Sequence, residues 1–175
     1  MVASRRARTA AVSAAPTQPG PDRFSPAGRR RLSAPGLRTF LSIADLWDLS
    51  EDERLRILGL PPRSTYYGWV KAVRSHRDIT LDLDVLTRIS AVLGIHQGLG
   101  VLQPDERAAV RWLRTPHRAL VFGGRPPMDL VTCGTQDGLL TVRRFLDGAR
   151  GGLYMPPNEA DDGFRPYTDA DIVFS

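Results

Sequence analysis

The fold is decided by residues 58–74, which read LGLPPRSTYYGWVKAVR. Gly59 tolerates a positive φ and can end a preceding helix, and the prolines at 61 and 62 prevent that helix from continuing. Beyond them, four apolar side chains recur at three- and four-residue steps: Tyr66, Trp69, Val70 and Val73. This spacing predicts a tight turn followed by an amphipathic helix from about residue 64 to residue 75.

A second short helix is predicted directly before the turn, because Ser50 and Glu53 have the spacing of a capping box. Two short helices separated by a tight glycine turn are typical of a helix-turn-helix. The second helix would then present donors to phosphates and base edges. Its outer face is basic and rich in hydroxyls, and its candidate DNA-binding residues are Arg63, Ser64, Thr65, Tyr67, Lys71 and Arg74. The alternative interpretation is the solvated face of a helix in an ordinary bundle.

Helical spacing of apolar residues continues on both sides of this segment. It predicts a helix from Leu37 to Trp47, a long central helix over 82–101, and a further helix that begins after Pro104. Two more helices are predicted over 128–133 and up to Arg150. The expected fold class is therefore all-α, with a helix-turn-helix bundle followed by a small helical region.

Two details of the long helix can be tested in a structure. Gly94, Gly98 and Gly100 weaken its second half, so we expect it to be shortened or kinked there. His96 is expected to be packed or hydrogen-bonded rather than to serve as a ligand.

The charge is distributed unevenly along the 175 residues, whose net charge is +5. Residues 1–38 hold eight arginines and one aspartate, whereas residues 153–175 hold one arginine and five acidic residues. Residues 1–36 contain few large apolar groups and are expected to form a flexible basic arm. We therefore divide the chain into this arm, a helix-turn-helix domain (37–116), a helical region (117–152) and an acidic tail (153–175). The basic end suggests a polyanionic partner.

The sequence offers little for catalysis. Its single cysteine, Cys133, excludes an intramolecular disulfide, and its three histidines are too far apart for a local metal motif. Cys133 as a nucleophile is the alternative, but we expect a small buried side chain there. No continuous apolar run approaches the roughly 20 residues that cross a bilayer. We predict a cytoplasmic protein that is not an enzyme and has no cofactor, no metal and no membrane partner.

The chain resembles the Xre-type antitoxins of the MbcA/ParS/Xre group. The likeness runs from about residue 37 to residue 152 in the family's order. It is carried by Leu58-Gly59-Leu60 with Ser64-Thr65-Tyr66 and Trp69, by the run 86–95 (LTRISAVLGI), by Trp112-Leu113 before Thr115-Pro116, by 122–130 (FGGRPPMDL), and by 142–152 (VRRFLDGARGG).

The resemblance implies an antitoxin of a type II toxin–antitoxin module. Such a protein would cover the active site of a RES-domain toxin that degrades NAD⁺, and it would bind its own operator as a homodimer within a larger complex. NAD⁺ would belong to the toxin. By the same analogy, the candidate toxin-binding residues are Leu139, Arg143, Arg144, Asp147, Arg150 and Gly151.

Two alternatives stay open at this point. The chain could be a helix-turn-helix regulator without a toxin, whose C-terminal helices serve only for dimerisation. The acidic residues of the tail could extend the toxin contact toward a nucleotide pocket, or they could screen the basic arm.

Overall fold

The structure, a computed structural model, describes residues 25–153. Over these residues it contains seven α-helices and no strand, which confirms the all-α prediction. The helices are α1 (Pro26–Leu46), α2 (Glu51–Ile57), α3 (Arg63–Arg74), α4 (Leu83–Leu102), α5 (Glu106–Arg114), α6 (Pro127–Val131) and α7 (Gln136–Arg150), with a 3₁₀ helix (Leu120–Phe122) between α5 and α6.

The helix-turn-helix prediction is confirmed by α2 and α3. Ser50 Oγ accepts a hydrogen bond from the Glu53 amide at 3.3 Å, and Glu53 Oε2 accepts one from the Ser50 amide at 2.8 Å. This capping box begins α2 as expected. Gly59 follows α2 with a φ of +86°, the left-handed conformation that the turn requires.

The bundle has one hydrophobic core that spans both halves of the described chain. The central helix α4 packs against α1 and against α7. Phe40 and Trp47 from α1 and the adjoining turn, Leu99 from α4 and Leu146 from α7 are all buried in this core. The C-terminal helices are therefore held on the helix-turn-helix bundle.

The predicted arm over 1–36 is wrong for residues 25–36. Ser25 caps α1 by accepting a hydrogen bond from the Gly28 amide at 3.0 Å, and a proline follows it at the first helical position. The first half of α1 buries small residues, Ser33 and Ala34, which a search for large apolar groups does not detect. Residues 1–24 of the predicted arm and 154–175 of the predicted tail lie outside the described residues.

The expectation that α4 is shortened by its glycines is also wrong, because the helix runs unbroken to Leu102. Gly94 and Gly98 instead face α7: a Cβ placed on Gly98 would lie 3.1 Å from Leu146 Cβ. By length and composition alone, α4 is apolar enough to cross a membrane. Its packing between other helices of the bundle accounts for that composition.

Candidate functional site

The outer face of α3 is the first candidate surface. Tyr66 and Val73 are buried and anchor the helix to the core. All six predicted DNA-binding residues are exposed: Arg63, Ser64, Thr65, Tyr67, Lys71 and Arg74. The structure thus places them where a partner can reach them.

The start of α3 is paired with acidic side chains of α2. Arg63 forms ion pairs with Glu51 and with Asp52, and its Nη2 lies 2.6 Å from Asp52 Oδ1. The Tyr67 hydroxyl donates a hydrogen bond to Glu51 Oε2 at 2.5 Å. Two of the side chains that are predicted to contact DNA are therefore already engaged by acidic side chains of the same chain. The pairs are 11 to 16 residues apart in sequence, too far for any local motif to indicate them.

The C-terminal end of α3 also carries basic side chains. Lys71 and Arg74 lie in its last turn, where positive charge also complements the helix dipole. Two of the predicted DNA-binding cations thus lie at the C-terminal end of α3.

The second candidate surface lies on α7 and is a row of paired charges. Asp147 lies between two arginines, 3.6 Å from Arg143 Nε and 3.8 Å from Arg150 Nη1. Arg144 pairs with Asp137 at 3.2 Å. Gly151, which follows α7, is exposed.

Leu139 does not belong to this surface. It was included among the candidate toxin-binding residues, but its side chain has no exposed area and it packs in the core. Its position on the apolar stripe of α7 requires this burial, so the assignment is corrected.

An aromatic cluster beside α7 lies next to an exposed apolar side chain that was not predicted from the sequence. The Phe122 and Phe145 rings meet edge to face at a centroid distance of 4.9 Å, and Trp112 and His117 pack against both. Two residues before Phe122, Leu120 is 98% exposed. The cluster therefore fixes the 3₁₀ helix in place while the Leu120 side chain stays in solvent.

The remaining chemistry-bearing side chains are isolated or packed. His96 is half-buried with its ring 6.3 Å from that of Trp47, which confirms the expectation of a packed histidine. Cys133 is exposed, so the expected burial is wrong, and its Sγ lies 3.1 Å from Thr135 Oγ1. Within residues 25–153 no three histidine, cysteine or acidic side chains come together in a way that could hold a metal.

In comparisons with known proteins, the two parts of the chain that carry these surfaces match two domains of antitoxins. Residues 26–94 match the profile described as the antitoxin Xre-like helix-turn-helix domain. Residues 100–152 match the antitoxin Xre/MbcA/ParS C-terminal toxin-binding domain. The uncharacterized protein y4oB of Sinorhizobium fredii is 37% identical over 116 residues, which are 66% of this chain and 84% of that protein. No solved structure matches the chain.

Proposed function

Because the chain belongs to the family of Xre/MbcA/ParS antitoxins, we propose that it neutralises a RES-domain toxin that degrades NAD⁺ and represses its own operon. Members of this family act by binding, and the chain is an antitoxin, not an enzyme. It contains an antitoxin helix-turn-helix domain and a toxin-binding domain.

The observation that carries the toxin proposal is the match of residues 100–152 to the toxin-binding domain. This range contains α5, α6, α7 and the exposed Leu120. The toxin would be contacted by Arg143, Arg144, Asp147 and Arg150, with Gly151 beside them. A matching toxin surface would offer carboxylates to the arginines and an apolar pocket to Leu120. NAD⁺ is then the toxin's substrate, and the antitoxin needs no cofactor.

Operator binding would proceed through α3. A single helix-turn-helix reads few bases, so we expect a homodimer on an inverted repeat. Both proposed partners, DNA and an NAD⁺-consuming toxin, place the protein in the bacterial cytoplasm.

Co-expression with the adjacent reading frame tests the proposal. A stable complex on size exclusion, whose partner carries a RES domain, is expected. The charge-reversed variant Arg143→Glu/Arg150→Glu should release the partner, whereas Arg56→Glu, at an exposed arginine of α2 outside residues 100–152, should retain it. If no partner co-purifies from a host that expresses both frames, the toxin proposal fails, and a helix-turn-helix regulator is what remains.

A further inference from the structure

A basic groove lies between the first half of α1 and the turn that follows α3. It has a volume of about 570 Å³, and the polar and charged residues that line it are Arg30, Arg31, Arg38, His76, Arg77 and Asp78. We propose that this groove binds a phosphate of the DNA backbone beside the site where α3 meets the bases. The inference rests on the proposed operator binding and assigns a backbone contact that lies off the recognition helix.

The groove carries an excess of positive charge. Among the described residues that line it, four carry guanidinium groups and Asp78 carries a carboxylate. Asp78 lies 3.3 Å from Arg30 Nη2, but both side chains are about 70% exposed, at 67% and 73%. A pair so exposed is worth little in water. The planar, multiply donating guanidinium group is well suited to phosphate oxygens.

The backbone after α3 fixes Arg77 at the groove. His76 adopts a left-handed conformation with a φ of +54°, and the Arg77 amide donates to the Ala72 carbonyl at 2.8 Å. The His76 amide donates to the Val73 carbonyl at 3.2 Å. These are the two hydrogen bonds of a Schellman motif. Arg77 is therefore positioned by the way in which the recognition helix ends.

The other side of the groove is formed by α1, which packs against α3. Arg31 and Arg38 are seven residues apart on α1, two helical turns, and so lie on the same side of it. Arg30 adds a third guanidinium to the groove. Two elements thus bring arginines together beside α3.

The location of the groove favours DNA over an acidic protein as the ligand. Arg77 follows the last residue of α3, Arg74, by three positions, so the groove continues the basic end of the recognition helix. At the opposite end, Arg63 is paired with Glu51 and Asp52. Backbone phosphates alongside α3 would therefore find their positive partners at this end. An acidic peptide, including the chain's own residues 154–175, is the competing ligand.

The test uses the full chain and its Arg38→Gln/Arg77→Gln variant in fluorescence anisotropy. The probes are a duplex from upstream of the gene and a scrambled duplex of equal length, titrated between about 50 and 200 mM salt. Loss of one phosphate contact reduces the magnitude of the slope of log K against log salt by about 0.9, and this is the change expected of the double variant. Affinity for both duplexes should fall in parallel. Arg107→Gln/Arg111→Gln, which removes two exposed arginines of α5, is the matched control and should leave both slopes unchanged.

Three results would overturn the inference, and they are distinguishable. If the full chain prefers the upstream duplex and the double variant keeps its slope, the groove does not contact DNA, although operator binding stands. This first result is also the one expected if the groove binds an acidic peptide instead of DNA. If the double variant loses affinity for the upstream duplex alone, these arginines act on base recognition. If the full chain binds neither duplex, the proposed operator binding fails together with the groove.

Discussion

Arg143 of α7 lies directly over the backbone of Gly94 on α4. A Cβ placed on Gly94 would be 2.6 Å from Arg143 Nε, and Arg143 Nη1 donates a hydrogen bond to the Ser90 carbonyl at 3.3 Å. The absence of a side chain at position 94 therefore sets where this guanidinium lies. A glycine of the helix-turn-helix half thus positions a charge of the candidate toxin-binding surface.

Gly94→Ala should displace Arg143 without unfolding the protein. The clash involves the far end of a flexible side chain, and alanine favours the helix by up to about 1 kcal/mol over glycine. We expect an unchanged or slightly raised stability in urea denaturation, with toxin affinity weakened about tenfold, which corresponds to about 1.4 kcal/mol. Gly100→Ala is the matched control, because nothing lies within 4 Å of a Cβ there. Equal toxin affinity in the two variants would contradict the role given to Arg143.

Leu120→Ser should weaken toxin binding and leave stability within about 0.5 kcal/mol, since a 98% exposed side chain contributes little to the core. Calorimetric titration against the purified toxin measures the loss, expected at about tenfold if Leu120 fills an apolar pocket. Val101→Ser, which changes another exposed apolar residue, serves as the control. If Leu120→Ser binds as tightly as the unmodified chain, the 3₁₀ helix lies outside the interface.

Ser33→Ala should destabilise the protein by about 1–3 kcal/mol. Ser33 is fully buried; its hydroxyl accepts from the Leu81 amide at 2.8 Å and donates to the Arg29 carbonyl at 2.7 Å. Alanine would leave the Leu81 N–H buried without that acceptor. Ser42→Ala should destabilise the protein far less, because the exposed Ser42 hydroxyl donates only to the Arg38 carbonyl of its own helix. A similar urea midpoint for both variants would exclude this link between α1 and the start of α4.

Glu51→Gln should strengthen DNA binding. The substitution removes one of the two carboxylates that pair with Arg63, so the positive charge of Arg63 is less neutralised and is more available to phosphates or bases. Anisotropy at about 100 mM salt should show several-fold tighter binding to the upstream duplex, with a steeper salt dependence. Glu106→Gln removes an exposed charge from α5 and controls for net charge. Weaker DNA binding by Glu51→Gln would mean that Glu51 holds Arg63 in the position in which Arg63 contacts a base.

Local patterns in the sequence predicted most of the helices and the turn between α2 and α3. The capping box at Ser50 and the glycine at position 59 specify that turn through neighbouring residues alone. The start of α1 escaped prediction because it depends on a tertiary contact, the hydrogen bond between Ser33 and Leu81. Without such contacts, an arginine- and proline-rich segment is typical of disorder.

The sites were predicted less completely, for the same reason. Exposure of the α3 residues followed from helical periodicity, but the pairing of Arg63 with Glu51 depends on how α2 and α3 pack. Gly94 and Gly98 suggested weakness in α4, whereas their role is to admit α7. Leu139 was placed on the binding surface by analogy, although its own periodicity places it in the core.

The most direct measurement is NAD⁺ consumption by the purified product of the adjacent frame, which we propose to be a RES-domain toxin, titrated with this chain. We predict that consumption falls to background at a fixed molar ratio, and that Arg143→Glu/Arg150→Glu shifts the titration to higher concentration. Undiminished NAD⁺ consumption in the presence of excess folded chain would contradict neutralisation of a RES-domain toxin.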